Sequence, residues 1–93
     1  MAIIEVNQTQ SAIRKISVGS FRRRLTTTEK VAIESSTDPV VKVLDKDLMA
    51  SSYVDLDFQQ VIDGLAYLLS VGILANQARV DELLAGGTED ERP

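Results

Sequence analysis

The chain has 93 residues, 44% of them apolar and 26% charged, with a formal net charge of −4. That is the balance of one small folded domain, with no room for two independent cores. It contains neither cysteine nor histidine, which excludes disulfides, thiolate nucleophiles, cysteine-ligated zinc and every triad built on an imidazole base.

The charge is unevenly spread. The first thirty residues hold six basic side chains (Arg14, Lys15, Arg22, Arg23, Arg24, Lys30) against Glu5 and Glu29, and the rest holds four basic against twelve acidic. A basic head and an acidic body suit head-to-tail association or docking on a charged partner. The longest stretch of low polarity, residues 64–75, is shorter than the roughly 20 apolar residues a membrane-crossing helix needs. The opening Met1-Ala2-Ile3-Ile4-Glu5 has no basic run ahead of an apolar one. The expectation is a protein made in the cytoplasm, with no membrane span.

In chain order, residues 2–6 are β-prone but too few to make a sheet alone. The polar run Asn7-Gln8-Thr9-Gln10-Ser11 follows them. Residues 1–16 therefore read as an extended arm whose Ile3, Ile4 and Val6 pair with or insert into a partner. Ser17 or Ser20 caps a short helix reaching Leu25. Thr26-Thr27-Thr28-Glu29 spells a capping box, opening a helix over 27–35 that buries Val31, Ala32 and Ile33. Asp38-Pro39 starts a third helix over 39–50, an acceptor at the cap and proline at the first turn, with Val40, Val41, Leu44 and Leu48 inward.

After an extended link at 53–57, Asp57 is placed to cap the next helix. Its apolar residues at 58, 61, 62, 65, 68 and 69 form one 3.6-residue stripe, the centre of the core. Gly64 within it costs about 1 kcal/mol against alanine, which points to close helix–helix approach. Gly72 supplies a left-handed stop. A last helix over 77–84 turns Val80, Leu83 and Leu84 inward. Residues 86–93 read as a flexible acidic tail. The fold class is all-α: a small bundle of four to five short helices over residues 17–85, behind an extended arm.

Few residues invite chemistry. Asp55 and Asp57 alternate on an extended link and face one way, but a cation cage needs more oxygens. The run Arg22-Arg23-Arg24 offers guanidinium groups for carboxylate or phosphate, yet three consecutive helical positions point in different directions. An isoelectric point near 4.6 argues against sequence-specific nucleic-acid binding. Arg22, Arg23 and Arg24 are thus candidates for contact with an acidic neighbour protein or another copy's acidic body. No phosphate loop or nucleophile elbow is present. These features together point to a non-enzymatic chain with no cofactor, metal or small-molecule substrate.

From Phe21 onward the chain resembles a family of small proteins encoded in the tail modules of tailed bacteriophages. The resemblance is carried by Phe21-Arg22-Arg23-Arg24-Leu25-Thr26, Glu29-Lys30-Val31-Ala32-Ile33 and Tyr53-Val54-Asp55-Leu56-Asp57. It continues through Val61-Ile62-Asp63-Gly64-Leu65, the Gly72-Ile73-Leu74 turn and Glu82-Leu83-Leu84. It covers about two-thirds of the chain and none of the first twenty residues. It departs where a threonine often opens the last helix; Ala75-Asn76 stands here. The resemblance implies a non-enzymatic virion component near tail-fibre, baseplate or adaptor proteins, binding other phage structural proteins or copies of itself. The alternative it leaves is a soluble tail-assembly chaperone or small protein-binding regulator.

Overall fold

The structure, a computed structural model, describes residues 13–93. It is all-α apart from one short antiparallel pair. In order come β1 (Lys15–Ile16), α1 (Val18–Arg24), α2 (Thr27–Ser35), α3 (Pro39–Ala50), β2 (Val54–Asp55), α4 (Gln59–Ser70), α5 (Gln77–Leu83) and a 3-10 turn at Glu89–Glu91.

Local side-chain chemistry sets most helix starts. Ser17 caps α1 by accepting from the Ser20 N–H at 3.0 Å. At α2 the capping box is complete: Thr26 Oγ1 accepts from the Glu29 N–H, and Glu29 accepts from the Thr26 N–H at 2.8 Å. Asp38 accepts from the Val40 N–H ahead of Pro39 at α3. Asn76 caps α5 through the Arg79 N–H.

The stop after α4 is a Schellman turn. Gly72 lies at φ +85°, its N–H bonds Leu69 O, and the Ile73 N–H bonds Leu68 O. Glycine is needed there because a Cβ strains at that φ. The turn brings Leu74 into the core and doubles α5 back beside α4.

The core is aliphatic, with Ile16, Phe21, Leu25, Val41, Val54, Leu56, Leu65, Leu68, Leu74, Val80 and Leu83 all buried. Strand β1 pairs with β2 in the register Lys15↔Asp55 and Ile16↔Val54. On its other edge Ile13 O accepts from the Gly87 N–H at 2.8 Å, and the Ser17 N–H donates to Glu91 O at 2.7 Å. Residues 13–17 are thus bonded along both edges, between β2 and the C-terminal turn.

Four expectations need correcting. Val31 is 58% exposed and Val40 45%, because α2 buries no side chain fully and α3 only Val41. Asp57 does not cap α4; Phe58 holds that position without a side-chain cap bond, and Asp57 accepts from Arg14 instead. Phe58, expected inward, is half exposed. Residues 86–93 are ordered onto the domain, since Glu91 is gripped by an arginine and Gly87 abuts Ile16.

Candidate functional site

Two features are candidates, one polar and one apolar. The polar one is built by arginines. Arg24 forks onto Glu91, Nε to Oε2 at 3.0 Å and Nη2 to Oε1 at 2.9 Å. Its Nη1 also donates to Leu83 O at 2.9 Å and Ala85 O at 2.7 Å, and Arg14 Nη2 donates to Leu84 O at 3.1 Å. Three successive carbonyls at the end of α5 are therefore capped by guanidinium groups, the sign of charge a helix C-terminus favours.

Arg79 repeats the pattern one layer away. It forks onto Glu29 with both bonds at 2.8 Å and donates to Arg24 O, at the end of α1, at 2.6 Å. The fork from Arg79 holds the Glu29 carboxyl below its usual range, and the one from Arg24 brings Glu91 down to about 2. Among the described residues no buried side-chain nitrogen or oxygen lacks a partner.

The arginine run therefore divides in three directions, as its spacing on a helix requires. Arg22 pairs with Asp45 of α3 at 3.2 Å, Arg23 is exposed and donates to the buried Ser20, and Arg24 is enclosed. Arg22 and Arg24 are engaged within the chain, which leaves Arg23 as the member facing solvent. The basic head and acidic body meet inside one molecule, through Arg14–Asp57, Arg22–Asp45 and Arg24–Glu91. Asp55 accepts from the Asp57 N–H, serving the turn before α4, while the Asp57 carboxylate accepts from Arg14. The other sequence candidates, Ile3, Ile4 and Val6, lie outside the described residues.

The apolar feature is a cleft of about 170 Å³ between α3 and the packed α1 and α4. Its floor is Phe21, Leu25, Val41, Leu65 and Leu68; its walls are Ile33, Leu44, Leu48 and Val61; Phe58, Asp47, Ser51 and Gln60 form its rim. It exists because α3 is attached at few points. Val41 alone in that helix is fully buried. Polar links at Arg22–Asp45 and from the Tyr67 hydroxyl to Asp38 at 2.6 Å hold it at two places. The Asp38 contact raises the Tyr67 hydroxyl's pKa and lowers the carboxyl's.

Gly64 of α4 faces Leu44, where a Cβ would lie 3.3 Å from Leu44 Cδ2; the neighbour is a side-chain tip across the cleft, not the backbone of α3. Among the described residues, the large exposed apolar side chains include Val40, Val43 and Met49 of α3 along with Phe58. Helical periodicity flagged the stripe of α4 but gave no sign that one end of it stays uncovered.

What this arrangement can do is bind. An apolar, open-sided cleft with the Asp47 carboxylate at its rim accepts an aliphatic segment by desolvation and orients it by charge. No group of three or more metal-ligating side chains is found among the described residues, and no helix there is long and apolar enough to cross a membrane. Comparison with family models, curated proteins and solved structures finds no match to the chain.

Proposed function

We propose that this chain is a non-enzymatic structural component of a tailed-phage particle, seated in its tail, tail-fibre or adaptor region and binding neighbouring particle proteins. The observation that carries the binding role is the open cleft under α3. A domain this small commits its best apolar face to itself, so an uncovered one has a use outside the core. The occupant is an aliphatic segment of a neighbouring particle protein, with a basic side chain meeting Asp47 at the rim.

The assignment to a phage particle rests on the resemblance. The residues that carry it include the α2 capping box, the Gly72 turn and Arg24. Mass spectrometry of purified particles from the host strain encoding this chain tests the reading. The expected result is the chain at a fixed ratio to tail proteins. Its absence from particles, with presence in assembly extracts, overturns the structural role in favour of an assembly chaperone.

A further inference from the structure

Helix α3 is fastened unevenly along its length. Its first turn is anchored twice: the Tyr67 hydroxyl donates to the Asp38 carboxylate at 2.6 Å, and Val41 is buried in the core. Further along, Arg22 Nη1 of α1 donates to the Asp45 carboxylate at 3.2 Å. Beyond Asp45, among the described residues, no side chain of α3 makes a polar bond to another element. Met49 there is 57% exposed. The Ser51 hydroxyl turns back to Asp47 O at 2.7 Å, and Ser51 and Ser52 are both exposed.

The cleft lies under that loosely held half. Leu44, Asp47, Leu48 and Ser51 line it from α3, facing Val61 and Leu65 of α4. Helix α4 buries Leu65 and Leu68 and α5 buries Val80 and Leu83, whereas α3 has Val41 alone. The Arg22 and Asp45 side chains are 29% and 25% exposed. Water competes for both, so such a pair shifts an equilibrium by about fivefold. Lifting the end of α3 breaks that one pair and wets two half-buried leucines, Leu44 and Leu48. That is a local opening, not a global unfolding.

We infer that α3 is a hinged flap over the cleft. It pivots on Val41 and the Asp38–Tyr67 contact, and the Arg22–Asp45 pair is the latch that holds it down. Shut, the cleft of about 170 Å³ takes side-chain tips; open, it widens into a groove towards the free end of α3. Because the latch is an accessible ion pair, salt loosens it. Only contacts within this chain are needed for this, so it stands or falls separately from the phage-particle role.

Methyl relaxation dispersion on the 93-residue chain tests the flap, in wild type and in Arg22→Met. That substitution lies on α1, keeps an aliphatic stem and leaves the helix propensity of α3 untouched. In the wild type, the methyls of Leu44, Leu48 and Val61 should show exchange on the microsecond-to-millisecond scale, and those of Val80 and Leu83 should not. Arg22→Met should raise the open population about fivefold, and raised salt should move the wild type the same way. Flat dispersion at Leu44 and Leu48 in both chains overturns the inference. So does equal exchange at every core methyl, since that is global opening, and so does an open population that Arg22→Met leaves unchanged.

A second measurement depends on no timescale. The chain has no cysteine, so spin labels at Ala50→Cys on α3 and Ala66→Cys on α4, both exposed positions, form a unique pair. The expected result is a second, longer distance whose share grows when Arg22→Met is added. One unchanged distance with and without Arg22→Met overturns the flap.

Discussion

The two ends of this small bundle are held by different physics. Around β1, α5 and the C-terminal turn, charge-assisted bonds converge: Arg24 and Arg79 each fork onto a carboxylate and cap backbone carbonyls. Around α3 the contacts are apolar and incomplete, with one fully buried side chain and a cleft left open. The directional end fixes a geometry; the apolar end keeps a surface that something else can cover. A 93-residue chain with an aliphatic core cannot do both jobs with one face.

The largest expected effect breaks the directional end. Arg24→Ala leaves Glu91 and two helix-terminal carbonyls without their donors in a site where both side chains are under one-fifth exposed. A loss of about 3 kcal/mol in chemical denaturation is expected. Arg24→Lys should recover less than half of it, because an ammonium cannot reproduce the fork.

Next comes Gly87→Ala. A Cβ there would lie 2.6 Å from Ile16 Cγ2 and 3.0 Å from Ile13 Cγ2. Ile16 is fully buried and has no room to move. A loss of about 2 kcal/mol is expected, with the C-terminal amides exchanging faster. A cost near zero would show that the C-terminal turn lies looser against β1.

Acid should act on the same end. The carboxyl of Glu91 is depressed from 4.5 to about 2 by its arginine partner, and Glu29 is lowered in the same direction. A group with a lowered folded pKa contributes its stability above its unfolded value and loses it as pH falls towards the folded one. Stability should therefore decline from about pH 4.5 towards pH 2, and Glu91→Gln should flatten that decline, read by thermal melts across the range.

Much of the chain's architecture is legible in its sequence, for a local reason. Thr26-Thr27-Thr28-Glu29, Asp38-Pro39 and Gly72 act on backbone within four residues of themselves, and each does in the structure what its type predicts. Long-range partners are not written locally. Nothing near Glu91 announces that Arg24, 67 positions away, will order the acidic tail. The stripe of α4 marks an apolar face without saying how much of it α3 covers, so Phe58 reads as core and turns out to be rim. The run Arg22-Arg23-Arg24 reads as a charged surface, yet two of its members are tied down inside the chain.

The smallest effect carries the opposite sign and probes the apolar end. Gly64→Ala removes the helical penalty of glycine, and its Cβ meets only the half-buried Leu44 side chain at 3.3 Å, beside open space. A gain of about 0.5 kcal/mol is expected. A loss larger than that would mean α3 is packed on α4 as rigidly as the polar end is packed on itself.

The proposed role is the binding of particle proteins through the cleft under α3. Its most direct test is a photoreactive phenylalanine analogue at position 58, irradiated while particles assemble. The account predicts an adduct with an identified tail, fibre or adaptor protein, lost when Leu48 on the cleft wall is replaced by arginine in a chain that still folds. Assembled particles carrying the chain with no adduct at that position would contradict it.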